Sequence, residues 1–229
     1  MFFDPMYLLF LAPGIALAIW AQIRVQSAYS AASRFAPRSG YSGAQAAAAM
    51  LDAAGVRGVR IEPTEGHLTD HYVPGQAILR LSEGVYGQRN LAALGIAAHE
   101  AGHAIQDARR YSLLVWRNAL VPMASFGSGS AWLIILAGFL LQMTGLILVG
   151  IAVFSLTVVF QLVNLPVEFD ASRRARIALV EGGLITQEED KVVAKVLNAA
   201  ALTYVAATLT SVLTLLYYLF RAGVFSSRD

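Results

Sequence analysis

The chain lacks cysteine altogether, and only 14% of its 229 residues are charged. Neither a disulfide framework nor a thiolate zinc site can be built from such a sequence. Soluble domains carry about 25% charged residues, so the shortage argues against a soluble globular enzyme and against a disordered chain. A basic surplus is missing too. Lys and Arg number 17 against 15 Asp and Glu, a net charge of +2 with no basic run, which removes the case for a nucleic-acid partner.

What the chain does have is 57% hydrophobic residues and an uneven charge map. Residues 5–23, 118–167 and 196–220 carry no charged side chain, leaving gaps of 19, 50 and 25 residues. A membrane-spanning helix needs about 20 apolar residues. The gaps therefore predict one span, a two-span hairpin and one further span in the lipid bilayer. The hairpin should turn at Gln142-Met143-Thr144-Gly145, between spans near 120–141 and 145–165. Ala124, Gly127, Ser128 and Ala131 lie at helical spacing and predict close packing of the first of these. Asp4 precedes the first apolar run and Arg24 follows it, the reverse of a cleavable signal, so residues 1–23 read as an anchor. Residues 24–117 hold ten Lys and Arg, residues 166–199 hold five and the C-terminal tail two. By the positive-inside rule both larger polar segments face the cytoplasm.

The expected organisation is an anchor (1–23), a cytoplasmic region (24–117), a two-span hairpin (118–166), a cytoplasmic helix (167–195), and a last span with its tail (196–229). Within 24–117, Ser42 and Gln45 have the spacing of a capping box, predicting a helix over Ala44–Ala54 closed by Gly55. Val59–Glu62 and Ala77–Leu81 read as short strands, with a polar loop between them, and Leu91–Ala108 as a helix too polar at its end to span. Helix breakage is expected at Asn164 and Pro166, with a new helix from Glu168.

The chemistry concentrates in His99-Glu100-Ala101-Gly102-His103. Histidines four apart share one helix face and can hold one metal, while the glutamate between them reaches a metal-bound water as general base. With four histidines and eight glutamates in the chain, this arrangement arises by chance about 0.2% of the time. Zinc suits imidazole and carboxylate ligands, and a catalytic site needs a third protein ligand. Glu168 is the best placed, because the hairpin returns the chain to the same side; Asp170 is its rival. Asp107 lies two turns from His99, too far to share the ion, and is expected to orient His103 or form a surface pair. His71 or Tyr72 could donate a hydrogen bond to the oxyanion of an attacked peptide. Arg173, Arg174 and Arg176 read as a solvated face or headgroup contacts, and the Ala77–Leu81 strand as an edge on which an extended peptide could pair.

Four blocks in order carry a resemblance: Leu68–Tyr72, Leu79–Ser82, Ile96–Gln106 and Asn164–Ala175. Together they make the chain similar, over nearly its whole length, to the YugP-like family of bacterial membrane zinc metallopeptidases. The resemblance implies a gluzincin-like site with one zinc ion on His99, His103 and Glu168, and Glu100 as catalytic base. It also implies a bacterial cytoplasmic (inner) membrane location. Val73 stands where family members usually carry Asp, and Ser172 where related gluzincins place an Asp, leaving Asp170 or Ser172 to support the ligands.

The expected fold class is a mainly α integral membrane protein with about four transmembrane helices and a small α+β cytoplasmic zincin-like region. The expected function is a zinc endopeptidase acting on peptide or protein substrates, membrane proteins included, with its active site on the cytoplasmic side. A site-2-type intramembrane protease and a non-catalytic scaffold with structural zinc are the alternatives.

Overall fold

A computed structural model describes residues 4–224. In chain order the elements are α1 (Pro5–Ala32), α2 (Gly43–Ala53), β1 (Arg60–Thr64), β2 (His71–Val73) and β3 (Ile78–Ser82), then α3 (Glu83–Tyr86), α4 (Leu91–Ala108), α5 (Ser112–Leu140), α6 (Thr144–Glu181) and α7 (Gln187–Arg221). The chain divides into two compact units. One takes in the chain through Ala21, Val115–Pro166, and the chain from Leu202; the other takes in Gln22–Leu114 and Val167–Ala201.

The first unit holds the N-terminal parts of α1 and α6, most of α5 and the C-terminal part of α7; among the described residues these are the four helices long and apolar enough to cross a membrane. Only 17–28% of their most apolar windows is buried. Leu9, Phe126 and Leu140 are more than 60% exposed, as side chains facing lipid would be. Ile135, Ile147, Ile151, Tyr217 and Tyr218 form its buried cluster. Ala124, Gly127 and Ala131 are buried on α5, and a Cβ on Gly127 would lie 2.8 Å from the Val153 carbonyl oxygen, so this face of α5 meets α6 backbone to backbone. Ser128 does not share in that packing; it is exposed and bonds the Ser125 carbonyl. Three of the long helices outrun their expected limits. α1 continues past Ile23 to Ala32, α7 begins at Gln187, and α6 runs unbroken through Pro166 for 38 residues. Its uncharged stretch, 144–167, is already long enough to span.

In the second unit the capping box closes as expected: Ser42 Oγ accepts from Gln45 N–H, and the Gln45 side chain accepts from Ser42 N–H. Gly55, at φ +70°, follows the α2 C-terminus. The sheet has the order β1-β3-β2, with β1 parallel and β2 antiparallel to β3. Two expectations are corrected here. The stretch read as a polar loop includes a third strand at His71–Val73, and β3 is the central strand. Paired on both sides, β3 has no free edge for a peptide; the edges belong to β1 and β2. Leu79 and Leu81 of β3 are fully buried, in a core with Met50 and Leu51 of α2, Leu94, Ala97, Ala98 and Ala101 of α4, Leu179 of α6 and Val196 of α7.

The small side chains of α4 let α6 come close. A Cβ on Gly102 would meet the Ala171 carbonyl oxygen at 2.8 Å and its Cα at 3.3 Å.

Candidate metal centre

Asn90 starts α4 by accepting the Ala93 N–H at 2.9 Å. Nine residues on, His99 and then His103 lie one above the other on the same face, since four residues make just over one turn. Helix α6 supplies Glu168, which is 3% exposed. Its Oε2 lies 3.3 Å from His99 Nε2 and 3.5 Å from His103 Nε2, and all three ligand atoms fall within 4.8 Å of one another. Bonds of about 2.0–2.1 Å to a tetrahedral ion place neighbouring donors roughly 3.3 Å apart. The observed separations suit one small divalent cation.

A second observation agrees. Glu168 Oε2 is buried and makes no hydrogen bond among the described residues, although two ring nitrogens stand nearby. A buried anionic oxygen without a bond is costly, and a cation held jointly with two imidazoles relieves it. Outward, His99 Nδ1 lies 3.1 Å from Ser172 Oγ and His103 Nδ1 lies 3.0 Å from Gln106 Oε1. Each ring is thus engaged at Nδ1 and presents Nε2 inward, as metal-binding histidines do.

Glu100 Oε2 accepts the Tyr72 backbone N–H at 3.0 Å, so strand β2 fixes its direction. Burial pushes the Glu100 carboxyl above its ordinary range, against the pull of His99 and His103, and the negative charges of Glu168 and Asp70 add to the rise. At His103 burial opposes the charged ring, but the carboxylates of Glu168 and Glu100 beside it outweigh that, so the pKa is raised. A metal has to displace that proton. Zinc affinity of the solubilised protein should therefore fall as the pH is lowered from about 8 to about 6, with protons released on binding. Calorimetry in buffers of different ionisation enthalpy measures both, and an affinity flat across that range would count against this arrangement.

The structure brings His99, His103 and Glu168 together, with Glu100 between the two histidines in sequence. Asp170 lies outside the cluster: it accepts from Gln106 Nε2 at 2.9 Å and pairs with Arg173 and Arg174. Arg176 makes two bonds to Asp190, at 2.8 and 2.6 Å. These three arginines are ion-pair partners, and Arg173 remains exposed to solvent. Asp107 accepts from the Tyr72 hydroxyl at 2.8 Å, and among the described residues no ion pair joins it to His103. Burial, and then that bond, raise the Tyr72 pKa. His71 is exposed, with Nδ1 2.7 Å from the Thr69 carbonyl oxygen. Asp70 ties the β2 approach to β3 by accepting from Ser82 N–H and Oγ–H; burial raises its pKa, with the Ser82 bonds only partly offsetting it. Gln106 is the residue sequence reasoning missed. Its place one helical turn past His103 carries no signal by itself, and only the structure shows the amide to be fully buried.

A protein-family model described as "Putative neutral zinc metallopeptidase" matches residues 7–223. The chain is 46% identical over 204 residues to "Putative membrane protease YugP" of Bacillus subtilis (strain 168), covering 89% of this chain and 91% of the relative. No solved structure matches it. With four apolar helices and a membrane protease as its relative, the chain is a membrane protein. Extending over nearly all of the described residues, the match shows that the chain belongs to the zinc metallopeptidase family of that description.

Proposed function

We propose that this protein is an integral-membrane zinc endopeptidase that hydrolyses peptide bonds of protein substrates, membrane proteins included, at the cytoplasmic face of the bacterial inner membrane. The observation that carries the reading is the convergence of His99, His103 and Glu168 on one point. These three side chains would hold the zinc, on a zincin-like region formed by residues 24–117 and the first turns past Pro166. When bound, zinc would polarise the scissile carbonyl and make water a stronger acid.

The remaining work falls to the chain. Glu100, steered by the Tyr72 N–H on one oxygen, takes the proton of the attacking water on its carboxylate and passes it to the leaving amine. Of the two expected oxyanion donors, Tyr72 has its hydroxyl hydrogen committed to Asp107. That leaves His71 as the candidate; it is exposed, and its Nδ1 is engaged by the Thr69 carbonyl oxygen. The excess of Lys and Arg in 24–117 and 167–195 supports the cytoplasmic side. Because α4 is not among the four span candidates, the intramembrane alternative has less support.

Full-length protein purified in detergent should carry about one zinc per chain and hydrolyse casein. A chelator should stop hydrolysis and added zinc restore it. A zinc-loaded protein inert toward casein and a peptide library would favour the scaffold reading. Sidedness is open to direct mapping because the chain has no cysteine. A single cysteine at exposed Arg57 should react with an impermeant maleimide only in inside-out vesicles; labelling in right-side-out vesicles would place the site on the other face.

A further inference from the structure

The Gln106 side chain is fully buried, and each of its polar atoms is spoken for. Its Nε2 donates to the Val167 carbonyl oxygen and to Asp170 Oδ2, both at 2.9 Å. Neither partner can donate in return: one is a carbonyl, the other a carboxylate paired with Arg173 and Arg174. Turning the amide over would set its oxygen against two other oxygens and lose both bonds. The two acceptors on α6 therefore decide which end of the amide faces α4. Oε1 points to His103 Nδ1 at 3.0 Å, and a carbonyl oxygen accepts only, so Nδ1 carries a hydrogen.

We infer that Gln106 is a positioning residue that fixes the tautomer of His103, holding hydrogen on Nδ1 so that the Nε2 electron pair is directed at the metal. The inference rests on the reading of His103 as a zinc ligand and adds the element that makes it one. Asp170, with Arg173 and Arg174 behind it, orients Gln106, which makes the carboxylate that competed with Glu168 for the metal a part of the support. The two histidines are thus supported differently. His103 faces an obligate acceptor, whereas His99 faces the Ser172 hydroxyl, which can donate or accept.

The test uses zinc titration of the solubilised full-length chain against a fluorescent chelator, together with nitrogen-15 NMR of labelled histidine side chains. Wild type and His103→Ala come first: loss of zinc in His103→Ala supports the ligand reading, and unchanged binding defeats that reading by itself. Gln106→Met keeps the volume and loses the amide. It should bind zinc 10–100-fold more weakly and, without metal and at a pH high enough to leave the ring neutral, populate the tautomer protonated at Nε2. In wild type under the same conditions the hydrogen should stay on Nδ1. Ile105→Val, one residue away in the same core, should change neither readout. Wild-type affinity with an unchanged tautomer in Gln106→Met overturns the inference, and so does an equal loss in Ile105→Val. Should Gln106→Met fail to fold by circular dichroism, the wild-type ring decides: hydrogen on Nδ1 in the neutral, metal-free state supports the inference, and hydrogen on Nε2 overturns it.

Discussion

Glu100→Gln should bind zinc as tightly as wild type and lose hydrolysis by a factor on the order of 10²–10⁴. Glutamine is nearly isosteric and keeps an oxygen to accept the Tyr72 N–H, so the bond between β2 and α4 survives the change. The three clustered side chains are untouched. What disappears is a group that can hold a proton between attack and departure of the amine. Because the same carboxylate accepts and then returns that proton, the loss belongs at the upper end of the range and should appear in kcat with little change in KM. Casein hydrolysis and metal content measured on the same sample check it. A variant as fast as wild type would remove Glu100 from the mechanism, and one that had lost its zinc would assign Glu100 to the metal site instead.

Glu168→Ala should abolish the dependence of stability on zinc. In the wild type, zinc at about a thousand times its Kd adds roughly 4.1 kcal/mol to the folded state, read as a rise in the melting temperature on metal addition. Removing the carboxylate leaves two imidazoles from one helix and no ligand from α6. The zinc increment should then fall close to zero, with affinity weakened by more than the 10–100-fold typical of losing an outer partner. The metal-free protein need not suffer to the same degree, because the deleted oxygen is buried and makes no hydrogen bond. The quantity to compare is therefore the difference between zinc-loaded and metal-free melts. A full increment retained in Glu168→Ala would return Asp170 to contention as the third ligand.

Much of this architecture is legible in the residues because it is locally encoded. Ser42 and Gln45 announce α2 by a hydrogen-bond pair three residues apart, and the charge-free runs announce the long helices by length alone. The His99–His103 face follows from helical periodicity. Contacts between distant segments were harder to read. Strand β2 has only three residues, His71–Val73, two of them polar or amphipathic, and exists because β3 offers it a partner. That β3 lies between β1 and β2 is a pairing choice that no local pattern records. Pro166 was expected to end a helix, yet α6 passes through it, since lost propensity at one position is offset by the packing of Val167, Ala171 and Ala175 beyond it. Gln106 looked like an ordinary polar end to α4 until Asp170, 64 residues away in sequence, gave it a role.

Gly102 occupies one of the two wildcard positions of the zinc motif, where any residue satisfies the pattern. In this fold the position is not free. Alanine would favour the α4 helix by up to about 1 kcal/mol, but its methyl would meet backbone atoms of Ala171, which have no rotamer through which to retreat. The two helices would have to part by some tenths of an ångström, and the side chain carried away with α6 is Glu168. A pattern match thus understates what this site demands: the reach of its third ligand is calibrated by a hydrogen atom standing where other chains of the same motif could place a side chain.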